Sequence, residues 1–146
     1  MLAKRRAEVG WKGAQEKGQG SFTMGNWMLG EVPVTWASRT SPEEESTSPE
    51  ELIAAAHASC YAMALSLVLD ERRTPPENID VEATCVLDDV SEGLRITTMD
   101  LDIRGRVPNL DADSFQDAAK HAHHICPGSN ALKGNVEIRV NTTLED

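Results

Sequence analysis

Alternation with a period of two runs through the first forty residues. Ala7, Val9 and Trp11 share one phase, Phe22 and Met24 follow a glycine-rich turn near Lys17–Gly20, and Val32, Val34 and Trp36 repeat the pattern. A period of two places such side chains on one face of a strand. Residues 4–39 are therefore predicted to form a three-stranded β-meander. The following Thr40–Ser48 segment, TSPEEESTS, is polar, acidic and proline-containing, and reads as a loop whose charges are solvated.

The period then changes. Ser48-Pro49-Glu50-Glu51 supplies a capping serine, a proline at the first helical position and a glutamate three residues after the cap. A helix is predicted from here to about Arg72–Arg73, where positive charge suits a helix C-terminus and Pro75-Pro76 end it. Such a helix has about 24 residues and is roughly 36 Å long. From Leu52 to Leu69 it is apolar apart from His57, Ser59, Tyr61 and Ser66, which approaches the length of a membrane span. Its alanines contribute little to insertion, and a helix covered on nearly all sides explains the same run. One sheet face covers only one side, so a second subunit is expected.

Beyond the prolines, Ile79, Val81, Ala83, Cys85 and Leu87 alternate with polar positions as a half-buried strand. After a turn near Ser91–Gly93, Leu94 and Ile96 keep one phase while Met99, Leu101 and Ile103 keep the other. A bulge near Thr97-Thr98 reconciles them. A second helix is predicted over Asp113–Ile125, a short third over Pro127–Leu132 closed by Gly134, and a last strand through Val136, Ile138 and Val140. The order βββ-α-ββ-αα-β indicates an α+β fold with largely antiparallel sheets.

A length of 146 residues fits one domain. The 24 acidic against 14 basic residues leave a formal charge of −10, which repels phosphate backbones and anionic lipid, so neither nucleic acid nor membrane is an expected partner. Three cysteines without C-x-x-C spacing do not make a secreted disulfide scaffold. The basic N-terminus lacks an apolar run of signal-peptide type, and a reducing, cytoplasmic setting is expected.

Cys60, midway along the long helix with His57 one turn before it, admits two readings. It is either a small buried hydrophobe or a thiolate, which requires a cation or hydrogen-bond donor nearby. Cys126 precedes Pro127, the first residue of the short helix, and so is expected at its N-cap; there it serves either as a junction residue or as a thiol ionised by the helix dipole. Cys85 shares the inward phase of its strand and is assigned to packing. His121, His123 and His124 cluster beside Cys126 as a surface histidine patch or, alternatively, a metal site. His57 reads as a core histidine or a base.

SPEELIAAAHASC, residues 48–60, followed by Cys126-Pro127 in CPGSNALKGNVEI, resembles the OsmC/Ohr family, the osmotically inducible protein C and organic hydroperoxide resistance proteins. The resemblance covers the whole chain in element order and is nearer the OsmC branch, because Arg39 falls late, just before the acidic loop. It implies a single OsmC-like domain over 1–146, with the meander at 1–39, the central helix at 48–73 and an α+β part at 77–146. It also implies an intertwined homodimer with two largely antiparallel sheets around long central helices.

The same resemblance implies a peroxidase that reduces organic hydroperoxides. Cys60 would be the peroxidatic cysteine and Cys126 the resolving one. Arg39 would hold Cys60 as a thiolate, and Glu50 would position Arg39. No metal, haem or flavin is implied, and an external dithiol, dihydrolipoyl proteins being the suggested class, would recycle the Cys60–Cys126 disulfide. A redox-sensing switch on the same two cysteines is the alternative of a different class. Leu52, Ile53 and Met63 are expected to contribute to an apolar substrate pocket.

Helix geometry adds a constraint. Glu50 and Cys60 lie ten residues apart, about 15 Å along one helix axis, so a Glu50–Arg39–Cys60 cluster is expected to draw Glu50 and Arg39 from the other subunit. Glu51 is assigned to the capping box. Gly128 stands where valine is common in the family, and its backbone freedom is expected to loosen the turn at Cys126.

Overall fold

The computed structural model describes residues 1–26, 28–41 and 45–146; Trp27 and Pro42–Glu44, the middle of the expected acidic loop, lie outside the described residues. The fold is α+β, with two three-stranded sheets. Internal contacts divide the chain into two compact units, Met1–Leu52 and Ile53–Asp146.

Met1–Leu52 contains the meander. Strands β1 (Ala7–Lys12), β2 (Gln19–Met24) and β3 (Val32–Val34) pair antiparallel in sequence order. Trp36 does not extend β3. It precedes a short helix, α1 (Ala37–Thr40), that the alternation does not reveal. The reason is local: the Ser38 backbone N–H donates to Thr35 Oγ1 at 3.1 Å and the Thr35 N–H to Ser38 Oγ at 3.2 Å. Two hydroxyls thus take up backbone donors and turn the chain out of the sheet.

Helix α2 (Pro49–Glu71) begins where expected. The Glu51 N–H donates to Ser48 Oγ at 3.2 Å, which is the cap. The reciprocal half differs from a capping box, because the Glu51 carboxylate accepts from the Thr47 hydroxyl at 3.0 Å. At the other end Arg73, rather than a glycine, takes the left-handed conformation (φ 64°), and the Thr74 N–H returns to the Leu69 carbonyl at 2.9 Å. Pro75 then follows.

In Ile53–Asp146, β4 (Asn78–Val90) and β5 (Gly93–Arg106) form a long antiparallel hairpin. Val86 pairs Thr98 while Leu87 pairs Ile96, so Thr97 is the extra residue of the bulge that the phase change requires. Helices α3 (Ala112–Ile125) and α4 (Pro127–Leu132) then lead to β6 (Glu137–Glu145). This last strand pairs β5 in parallel, from Thr98↔Glu137 to Arg106↔Glu145, so the second sheet is mixed. A helical crossover makes that possible, since a tight turn cannot join parallel strands. It also runs beyond Val140, where Thr142 occupies an inward position and hides the alternation.

β5 is the middle strand and the most buried one. Its Met99, Leu101 and Ile103 form one cluster with Tyr61, Leu65, Val68 and Leu69 of α2 and with Phe115, Ala118, Ala119 and Ala122 of α3. The Tyr61 hydroxyl donates to the Ala119 carbonyl at 2.6 Å, satisfying the one polar atom that a buried tyrosine brings into the core. Gly105 lies directly beneath the Phe115 ring, where a Cβ would collide with ring carbons. Cys85 packs against this core from β4, as its phase predicts.

Helix α2 is covered along one stripe only. Met63 and Leu67 remain 68% and 51% exposed. Ala55, Ala56 and Ser59 continue the open face. By length and composition α2 is also the one described helix that could cross a membrane.

Candidate active site

Two groups of predicted site residues are assembled, each within its own unit. The first is Arg39 with Glu50. α1 carries the arginine and the first turn of α2 carries the glutamate. Arg39 Nη2 donates to Glu50 Oε1 at 2.6 Å and Nε reaches the two carboxylate oxygens at 3.2 and 3.3 Å. Two guanidinium nitrogens on one carboxylate fix orientation as well as charge. The Trp36 ring centroid lies 5.5 Å from Arg39 Cζ, so the cation also sits over an aromatic face. Glu50 is only 7% exposed. Arg39 and Glu50 are thus partners within one chain.

The second group surrounds Cys60 and Cys126. α2 holds Cys60, half-buried, and the α3–α4 junction holds Cys126, fully buried. Their sulfurs lie 3.4 Å apart across 66 residues of sequence. A disulfide spans about 2.0 Å, so the thiols are unbonded and need only a small approach to join. Cys126 is the N-cap of α4, with Pro127 at the first position, and its sulfur accepts from the Ser129 N–H at 3.5 Å.

Burial pushes the Cys60 thiol above its ordinary pKa. A hydrogen bond from the Gly128 backbone N–H opposes this, while the neighbouring Cys126 adds to the upward shift. No cation is among these causes. The surroundings supplied by this group therefore favour the thiol form of Cys60, and a positive charge brought beside it would favour the thiolate.

Gly128 does not use glycine's conformational freedom, since it is absent from the positive-φ glycines and lies within α4. The expected loosening of the turn is not seen. What matters is the missing side chain: a Cβ would stand 3.3 Å from His57 Cδ2, 3.5 Å from Cys60 Cβ and 3.6 Å from Cys126 Sγ. His57 itself is 2% exposed, with Nε2 2.8 Å from Ser129 Oγ and Nδ1 buried without a partner. Burial, and secondarily His123, holds its pKa below the ordinary imidazole value. Ser129, also buried, did not stand out in the sequence; its position three after the capping Cys126 is the signal that marks it.

The remaining histidines lie along α3 without converging. His121 and His124 are exposed on α3, His124 Nδ1 lies 2.8 Å from the Lys120 carbonyl, and His123 turns to a half-buried side. Helical spacing sends neighbouring residues to different faces, and among the described residues no group of three His, Cys, Asp or Glu side chains is gathered for a metal. Of the expected pocket residues, Leu52 is half-buried, Ile53 packs against the core and Met63 is exposed.

Two thiols thus face each other on an α+β scaffold, one at a helix cap and one mid-helix. The chain belongs to the OsmC family: the profile of OsmC-like proteins matches residues 42–141. It is 36% identical over 138 residues to the Escherichia coli protein named peroxiredoxin OsmC, covering 94% of this chain and 96% of that one. It is 32% identical over 101 residues to organic hydroperoxide resistance protein-like 2 of Staphylococcus epidermidis, covering 68% and 69%. Its fold matches that of an organic hydroperoxide resistance protein OsmC from Legionella pneumophila with a TM-score of 0.78, at 22% identity and 98% coverage of both chains. OhrB of Bacillus subtilis matches with a TM-score of 0.76, at 25% identity and over 94% and 98% of the two chains.

Proposed function

We propose that this protein is a cysteine-based peroxidase that reduces organic hydroperoxides to alcohols. The observation that carries the reading is the 3.4 Å approach of the Cys60 and Cys126 sulfurs, supported by relatives named for peroxiredoxin and hydroperoxide resistance activity. The Cys60 thiolate attacks one peroxide oxygen, the O–O bond breaks, the alcohol departs after taking a proton, and Cys60 becomes a sulfenic acid. The Cys126 thiol then displaces the sulfenic oxygen as water, leaving a Cys60–Cys126 disulfide. An external dithiol reduces that disulfide by exchange and is itself oxidised, a lipoylated protein being the class proposed. The cycle balances on the two cysteines, the peroxide and the dithiol.

Arg39 supplies the missing positive charge in this reading. Glu50 and Cys60 are ten residues apart on α2, about 15 Å along its axis, and the Arg39–Glu50 pair is therefore assigned to Cys60 of a second copy. The open stripe of α2, with Met63 and Leu67, supports a homodimer in which α2 packs on its counterpart instead of in a bilayer. On this arrangement, with one OsmC-like domain per subunit, apolar side chains of that stripe line the approach to Cys60 and favour an alkyl hydroperoxide over hydrogen peroxide by burying its carbon chain. The protein is assigned to the cytoplasm, where dithiol reductants are available.

Intact mass and disulfide mapping after one equivalent of cumene hydroperoxide test this. Wild type is expected to lose two hydrogens and link Cys60 to Cys126, while Cys126→Ser retains a trappable sulfenic acid and Cys60→Ser does not react. Oxidation confined to Cys85, or reduced thiols throughout, would overturn the assignment.

A further inference from the structure

The buried His57–Ser129 pair has no part in the cycle described above. Both side chains are almost fully excluded from solvent, yet they are polar and face one another at 2.8 Å across 72 residues of sequence. They join the same two elements that carry the cysteines: His57 lies one turn before Cys60 on α2, and Ser129 lies three residues after Cys126 on α4. The Ser129 backbone N–H is also the donor to Cys126 Sγ. One residue therefore touches the Cys126 sulfur through its amide and the imidazole through its hydroxyl.

The packing makes this linkage tight. The space beside Gly128 is bounded by His57 Cδ2, Cys60 Cβ and Cys126 Sγ, each within 3.6 Å of where a Cβ would stand. A Cβ there would be tight only against His57 Cδ2, at 3.3 Å, so the imidazole borders the turn that presents Cys126. His57 Nδ1, by contrast, is buried and has no hydrogen-bond partner among the described residues. A base that exchanged protons with substrate or water would need access at that nitrogen. Retaining a buried, half-satisfied imidazole is unfavourable unless its other nitrogen does something an apolar side chain could not.

We infer that His57 is a positioning residue for the resolving step: through Ser129 it fixes the first turn of α4 so that the Cys126 thiol is aimed at Cys60. The inference rests on the proposed roles of Cys60 and Cys126. The step it serves is condensation, in which the Cys126 S–H and the Cys60 S–OH lose water and form the S–S bond. Attack on the sulfenic sulfur is sensitive to direction, so a thiol held in line reacts faster than one that must search. Formation of the sulfenic acid meets α4 only through the Gly128 backbone N–H beside Cys60, a main-chain contact that needs no aim of the Cys126 thiol, and is expected to depend on the pair far less than closure does.

The experiment separates the two steps by rapid-mixing kinetics with cumene hydroperoxide. Sulfenic acid formation is followed by dimedone trapping, and disulfide closure by mass of the quenched protein. His57→Leu and Ser129→Ala are each expected to slow closure about tenfold while changing Cys60 oxidation less than about twofold. The double variant is expected to be no slower than either single one, because both remove the same link. His57→Gln, whose amide can still meet the Ser129 hydroxyl, is expected to recover most of the rate. Unchanged closure in Ser129→Ala, multiplying effects in the double variant, or equal slowing of both steps would overturn the inference. Should His57→Leu not fold, Ser129→Ala and His57→Gln decide it. A wild-type protein that never forms the Cys60–Cys126 disulfide would overturn the underlying reading as well, and that result appears before any variant is made.

Discussion

The two compact units solve different problems. Ile53–Asp146 closes a continuous core around β5, with aromatic, aliphatic and alanine side chains from two helices buried against it. In Met1–Leu52, Phe22 is the only large apolar side chain buried among the described residues, whereas Val9, Trp11, Met28 and Leu29 are exposed. A three-stranded sheet with so little buried surface is marginal by itself. The contrast follows the chemistry each unit holds. On the proposed cycle two sulfurs must meet, and the core supplies the rigid frame that this needs. The Arg39 guanidinium needs only its immediate clamp, Glu50 and Trp36, and the meander can take its order from whatever lies against it.

The sharpest way to break this division is to remove the cation. Arg39→Ala is expected to slow Cys60 oxidation by roughly 100-fold, and Arg39→Ala/Glu50→Gln, which leaves no buried carboxylate unpaired, to do the same with little change in thermal unfolding of the helices. A comparable loss of stability would mean that Arg39 holds the fold together instead of serving the thiol.

A second test uses the natural distribution of chromophores. Every tryptophan of the chain lies in the sequence before Leu52, so tryptophan fluorescence is expected to follow Met1–Leu52. In urea its transition is expected about 1 M below the loss of far-UV circular dichroism, and, on the proposed homodimer, to move upward with protein concentration. Coincident, concentration-independent transitions would erase the contrast between the units.

The smallest effect concerns pH. Burial lowers the pKa of both His57 and His123 in the folded state, so the unfolded chain binds more protons as pH falls. Stability is therefore fully present above the ordinary histidine pKa of about 6.5 and is lost as pH drops through the lower folded values. Thermal melts between neutral and mildly acidic pH are expected to show this slope in Ile53–Asp146. His57→Gln should flatten it, and an unchanged slope would assign the effect elsewhere.

Much of the fold was legible in local pattern. Ser48-Pro49 marks the start of α2, and the phase change between Ile96 and Met99 marks the bulge at Thr97, because both are written in neighbouring residues. α1 was not, since four residues are too few for a helical period and only the Thr35/Ser38 hydroxyl exchange reveals the turn. The parallel pairing of β6 is likewise silent in sequence, as its alternation suits either direction. At the site, the motifs pointed to Arg39, Glu50, Cys60 and Cys126. Ser129 stayed hidden because a serine after a cap is ordinary, and its importance arises only when α4 brings it to His57.

The crossover that makes β6 parallel also separates the two cysteines from their final arrangement during synthesis. β5 has no second neighbour until Glu137–Glu145 has been made and laid alongside it, and Cys126 lies on the path between them, at the α3–α4 junction. Such distant pairings form late and slowly. A growing chain thus carries Cys60 and Cys126 as strangers, 66 residues apart, until folding of Ile53–Asp146 makes them neighbours.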